Sequence, residues 1–512
     1  MIKEEFVKDE EIIEKYDNSI PVDEVGTVYW DNSHATRPKW VSSFFGDKLD
    51  IKNILTANAR AVLLARITVG QAGEERIFAI TMGYGKSMLK EGVIEERFGL
   101  RVVLNTIKSN SLRRINKVNI GGNQKLSSEQ LPLASGINDF GLDINRDLVS
   151  NIVGVSGDEN YTKGILVGGD ILSLTAEEDI KSIVSFLGKT YKRYCLDDYK
   201  ADFAWIDQIQ EVRDTSLIAQ LNQELIEAIN SSSEDIWMAV PEIIDWEKIK
   251  GFKYKGRKIY NDIDIKIVKE SFREPLSEIE QLKSKRIRAI SVDDESDRHS
   301  WGANKCLCGE LELNSNLYCI NNGKWYQINN DFVEQINRDY DNTSISTIDF
   351  DDFTDEHGSE NAYNEDFKEK HADNYIIMDA VNFSYGGGHS KIELCDLLSK
   401  DKDLVHIKRY SGSQTLSHLF SQAAVSAELV LSDSQFLALA NEKIFELSNS
   451  EDYKIVNRQE IKIVFGIITK KHSSLPTLPF FSKVSFRYTK QRLQAFGLEV
   501  SIKTIKNIRG EN

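Results

Sequence analysis

Between positions 391 and 410 the chain runs Lys-Ile-Glu-Leu-Cys-Asp-Leu-Leu-Ser (391–399) and, after a short polar turn, Leu-Val-His-Ile-Lys-Arg-Tyr (404–410). Both runs are apolar enough to be strands, and both carry reactive side chains: Glu393 and Asp396 on the first, His406 and Lys408 on the second. Paired strands would bring carboxylates and a lysine together. That is the set needed to hold a hard divalent cation, Mg²⁺ or Mn²⁺, against a phosphodiester and to lower the pKa of a bound water. Lys408 would orient that water or neutralise charge developing on phosphorus. His406 titrates near neutrality, which suits a general base or a metal ligand. On the following helix His418 and Gln422 are spaced i, i+4 and could both face the site. On a regular strand Arg409 points away from Lys408, and Glu393 and Asp396 take opposite faces unless a bulge intervenes. The bland alternative is that Asp396 precedes a turn and that Lys408 and Arg409 only solubilise a strand end.

The surrounding elements must position these groups. A short polar helix from Tyr363 to about Ala372 carries Glu365, and Tyr375–Val381 reads as a strand. A Gly386-Gly-Gly388 turn leads to the second strand, Ser390–Leu397, and Ser399–Asp403 turns into the third, Leu404–Tyr410. Thr415–Leu429 is a helix with Leu416, Leu419, Phe420, Ala423 and Ala427 on one face. Ile461–Ile468 is a buried strand, Tyr488–Phe496 a helix, and Leu498–Ile505 a last strand.

This order, αβββαβ, resembles the restriction-endonuclease-like core of the PD-(D/E)XK nuclease superfamily. The resemblance implies an acid on the second strand, here Asp396, and an acid-X-Lys on the third, here His406-Ile-Lys408. The family's acid is replaced by histidine, so Glu393 or Glu365 would have to join Asp396 in holding the metal. The implied partner is nucleic acid, with DNA favoured by the superfamily's habits. The alternative is a non-catalytic nucleic-acid-binding or regulatory protein with a degenerate nuclease fold. A wider resemblance rests on Tyr84-Gly-Lys, Phe98–Asn105, Ile392–Asp396, His406–Arg409 and Leu416–Phe420. It is to a sporadically distributed bacterial family of uncharacterised proteins, whose distribution implies antiphage or mobile-element defence.

The 512 residues exceed one ordinary core, and 41% hydrophobic with 28% charged content is that of a globular protein. The fold class expected is α/β and α+β multidomain. The divisions are 1–150, mixed α/β; 151–338, helical then β-rich; 339–360, an acidic linker or loop; and 361–512, the nuclease-like part. Strands are expected at Ala61–Val69, Arg76–Met82 and Phe98–Asn105, and at Tyr254–Ile267 and Leu311–Ile328, the last with a hairpin turn over Ile320–Trp325. Thr175-Ala-Glu-Glu178 suggests a capped helix running to Tyr194, and Ser216–Ile229 a second helix.

No apolar run is long enough to span a bilayer, the N-terminus lacks a signal-like core, and five cysteines make no disulfide framework, so a cytoplasmic setting is expected. A homo-oligomer is compatible with the chain. Net charge is −16, but residues 400–512 hold 17 Lys and Arg against 11 Asp and Glu, which leaves room for a local phosphate-binding surface. Gly83-Tyr-Gly-Lys-Ser87 lacks the first glycine of a P-loop and reads as a turn after a strand. Cys306, Cys308, Cys319 and His299 could ligate zinc, but the one-residue spacing suits core cysteines on a strand better.

Overall fold

In the computed structural model all residues are described except 32–34, 38–40, 42–53, 56, 71–72, 120–124, 143–146, 255, 257, 293–296, 379–381, 385–390, 411–412, 472 and 511–512. The protein is a mixed α and β molecule built on several sheets. Its N-terminal part stacks a four-stranded antiparallel sheet, with Arg60–Val69 and Glu74–Gly83 as its longest pair, near a five-stranded one containing Ile107–Asn119 and Asp147–Ser156. Phe98–Leu104, expected as a strand, is a helix in the apolar core to which both sheets contribute. Six of its seven residues are buried, so it has no polar face for a helical period to reveal. Close approach requires glycine here: a Cβ on Gly168 would lie 2.2 Å from the Gly99 carbonyl oxygen.

The expected cap at Thr175 is not used, and the helix spans only Ile183–Tyr194. The Asp179 carboxylate takes the N–H groups of Lys181 and Ser182 instead, so the chain turns there before the helix begins. Thr215–Asn230 is a helix capped by Asp214. Among the described residues of 254–267 there is no strand, only a bridge from Tyr260 to Phe252. The pairing strand is Ile249–Lys253, and Ile265–Glu270 is helical. The hairpin is as expected, with Asn321 opposite Lys324 and positive φ at both Asn322 and Gly323.

The C-terminal part carries a six-stranded mixed sheet. Its strands are β1 (Ser344–Ile345), β2 (Tyr375–Ile377), β3 (Leu397–Ser399), β4 (Asp403–Arg409), β5 (Lys462–Thr469) and β6 (Glu499–Lys506), in spatial order β1-β6-β5-β4-β3-β2. The β2-β3-β4 run is an antiparallel meander, and β4, β5, β6 and β1 are parallel. Helix α1 (Glu360–Lys370) packs Tyr363 and Phe367 on one face, over Val405, Ile407, Val464 and Ile505. Helices α2 (Ser413–Ser432), α3 (Ser434–Ser448) and α4 (Phe480–Ala495) are on the side of Leu404, Ile463, Phe465 and Ile502. Among the described residues no single helix is long and apolar enough to cross a membrane.

Two expectations for this part change. The second strand, expected over Ser390–Leu397, is broken: Lys391–Glu393 pairs with Asn382–Ser384 in a separate ribbon, and β3 begins only at Leu397. The acidic stretch 339–360 is a loop in its middle, but not a solvated one. It buries Ile348 and Phe353 against the sheet and supplies β1, because its scattered apolar residues outweigh its charge. The Gly386–Gly388 turn lies outside the described residues.

Candidate functional site

Strand β4 has company on one edge for only part of its length. Its antiparallel partner β3 begins at Leu397, opposite Val405, so the next outward N–H groups on that edge, those of Ile407 and Arg409, meet no strand. Two carboxylates take them. Asp396, on the bend before β3, accepts the Ile407 N–H at 2.5 Å. Glu360, the first residue of α1, accepts the Arg409 N–H at 2.9 Å through one oxygen and the Lys408 Nζ at 2.6 Å through the other. Alternate residues on a strand are about 6.8 Å apart. Two acids and a lysine are thereby gathered within one strand edge. Asp396 is itself held in place by backbone bonds, its N–H on the Val405 carbonyl and its own carbonyl on the Met378 N–H.

The chain brings together only part of the expected set. Asp396 and Lys408 share this edge. Glu365 does not: it is exposed, on the far side of α1 from the Tyr363, Asn364 and Phe367 stripe. Glu360 is on that stripe by i, i+3, i+4 and i+7, and it, not Glu365, reaches the edge of β4. The helix begins three residues earlier than expected, with Ser359 as its N-cap, and this serine was the signal in the chain. Glu393 is in the separate ribbon opposite Asn382, so the break at Leu394–Asp396 separates it from Asp396.

His406 is 4% exposed and faces the α2 and α4 side with Leu404, its ring 6.0 Å from that of Phe465. Burial alone pushes its pKa down to about 3, and its Nε2 has no hydrogen-bond partner. A histidine so placed is closed to solvent and packs against Phe465 rather than lining the edge of β4. His418 is exposed on α2 and Gln422 is half-buried; neither makes a bond to the Asp396–Lys408 edge. Among the described residues no three His, Cys, Asp or Glu side chains converge to hold a metal ion. Asp396 and Glu360 are the carboxylates at this edge, and Mg²⁺ commonly takes one or two carboxylates with water and substrate phosphate.

The cysteine cluster belongs to the core of the middle part. Cys306, Cys308 and Cys319 are buried thiols, and burial pushes Cys306 up to about 12. His299 instead pairs with Glu242 at 3.0 Å. Gly83–Ser87 follows a strand of an antiparallel sheet and leads into a single short turn of helix.

The middle part reaches the site. Tyr410, next after β4, donates its hydroxyl to Asp235 at 2.5 Å, and Glu234 is close enough to Arg409 to feel its charge. A cavity of about 430 Å³ lies elsewhere, between the N-terminal and middle parts, beside a network in which Lys324 meets Glu96, Asp170 and Glu211. These residues are too far apart in sequence for any local motif to announce them.

Fold and site together define a several-sheet α and β protein whose C-terminal sheet gathers acids and a lysine at the edge of a central strand. The chain belongs to the family described as a family of unknown function, DUF6119, whose model matches residues 1–506. Neither the curated proteins nor the solved structures contain a match to it.

Proposed function

We propose that the C-terminal part hydrolyses phosphodiester bonds of nucleic acid, DNA foremost, with a divalent metal. The observation that carries this reading is the clustering of Asp396, Glu360 and Lys408 on one edge of β4. It occurs where an antiparallel meander meets a parallel strand, with helices on both sheet faces. Asp396, with Glu360, would hold Mg²⁺ or Mn²⁺, which when bound supplies an acidified water and neutralises a phosphate oxygen. Lys408 places a positive charge where the phosphate gains negative charge. Glu360 holds the lysine side chain in that position before substrate arrives. Antiphage or mobile-element defence is the setting proposed with it, and plaque counts on cells expressing the intact protein or an Asp396→Asn variant measure that.

Cleavage assays with Mg²⁺ or Mn²⁺ on single- and double-stranded DNA and on RNA test the chemistry. Asp396→Asn, Lys408→Ala and Glu360→Gln are each expected to lose about hundredfold or more in rate. Asparagine is chosen at 396 because it keeps an acceptor for the Ile407 N–H. Cleavage that survives all three changes, or that is indifferent to EDTA, would sink the proposal. A second reading, a nucleic-acid-binding or regulatory protein without hydrolysis, is favoured by the burial of His406 where the family carries an acid. Binding without cleavage is its signature.

A further inference from the structure

The parallel arrangement of β4, β5 and β6 brings their C-terminal ends to one rim. Arg409 is opposite Ile468, and Thr469 is opposite Lys506, so the three strands stop level with one another. The chain leaves β5 through Lys470 and Lys471, and β6 ends on Lys506. All three lysines are exposed. Of the neighbouring guanidiniums, Arg509 pairs with Asp355 at 3.6 Å and Arg409 is close enough to Glu234 to feel its charge. Lys408 is held by Glu360. Among the described residues, the exposed lysines at this rim are Lys470, Lys471 and Lys506. They stand out in a chain of net charge −16.

We propose that Lys470, Lys471 and Lys506 form a track for the phosphates of one nucleic-acid strand, leading across the strand ends to Lys408. This rests on the hydrolytic reading for its direction, but the binding surface stands on its own charges. Adjacent strands are about 4.8 Å apart, so three strand ends span about 10 Å. A nucleic-acid strand presents a phosphate every 3.4 Å or so along a duplex, which places about three phosphates over the rim. The ends of the backbone fix where the lysines start, and their long flexible stems let the ammonium groups follow the phosphates.

The test is the salt dependence of binding by the full-length protein, measured by fluorescence anisotropy in EDTA with a labelled single-stranded oligonucleotide and its duplex. The variant Lys470→Gln/Lys471→Gln/Lys506→Gln is compared with Lys163→Gln/Lys189→Gln/Lys192→Gln, which removes the same charge from exposed positions outside the C-terminal part. The rim variant is expected to flatten the slope of log K against log salt by about 2 on the single strand and about 3 on the duplex. The control variant should leave it unchanged. Equal slopes in both variants, or no binding by the unaltered protein, would overturn the track. Replacing the three lysines by arginine should restore the slope. Cleavage is read separately: loss in Asp396→Asn with an unmoved rim slope overturns the track alone. A flattened slope with cleavage intact in Asp396→Asn overturns hydrolysis at that edge and leaves the track.

Discussion

His406, 4% exposed and with an unpartnered Nε2, is the residue on which sequence pattern and surroundings disagree most. A buried polar atom left unpaired costs about 1–3 kcal/mol. His406→Leu is therefore expected to keep any activity and to hold or raise stability, measured by urea unfolding. A collapse in activity with the fold intact would return it to the site. Its pKa, depressed to about 3 in the fold, also has a sign. The unfolded chain takes up a proton near 6.5 and the folded one does not, so stability present above pH 6.5 is lost as pH falls toward 3. The leucine variant should lose that part of the acid sensitivity. Asp396 has a structural duty as well as a proposed chemical one. Asp396→Ala strips the acceptor from the Ile407 N–H and is expected to cost about 1–3 kcal/mol, whereas Asp396→Asn costs less.

At the scale of elements, what positions the site is a strand that stops short. Because β3 begins only at Leu397, two N–H groups of β4 are left for side chains, and Asp396 and the α1 terminus fill the vacancy. The alternating apolar pattern of 391–399 reads as one strand, and nothing local says that it divides at Leu394. The division comes from its two different partners, Asn382–Ser384 for the first half and β2 with β4 for the second. Phe98–Leu104 shows the same blindness, since a fully buried helix has no period. Its seating depends on glycine. Gly168→Ala would drive a methyl to 2.2 Å from the Gly99 carbonyl oxygen, which no side-chain movement relieves. Loss of about 2 kcal/mol or more is expected in thermal or denaturant melts, from overpacking.

Across the whole molecule, the middle part is fastened to the C-terminal part beside the site. Glu310, on strand Leu307–Leu313, accepts the Phe480 and Phe481 N–H groups at 2.5 and 3.0 Å, where α4 begins. Burial pushes its pKa up to about 7. In the fold it binds a proton from about pH 7 downward and in the unfolded chain only from about 4.5. Its contribution to stability is therefore full below 4.5 and lost as pH rises through 7, opposite to that of His406. Glu310→Ala leaves two helix N–H groups unmatched. It is expected to cost about 1–3 kcal/mol and to let the C-terminal part melt separately, seen as a second transition by calorimetry. A single unshifted transition would show that the Tyr410–Asp235 bond and the apolar contacts among Ile328, Phe332, Phe480 and Phe481 suffice.

Periodicity and residue type were enough to place β4, β5, β6, α2 and the Asn321–Lys324 hairpin. Each is long, apolar on a regular period, or marked by a turn residue, and such signals are carried by neighbours in the chain. They pointed to Asp396 and Lys408, which the fold brings to one edge, but equally to Glu393, Glu365, His406, His418 and Gln422, which it does not. What tertiary structure alone decided was that Glu360 meets Lys408, that His406 is closed to solvent, and that the ends of β4, β5 and β6 come level at one rim. Those depend on residues tens to hundreds of positions apart meeting across a sheet, and on burial, which is a property of the packed molecule and not of any segment in it.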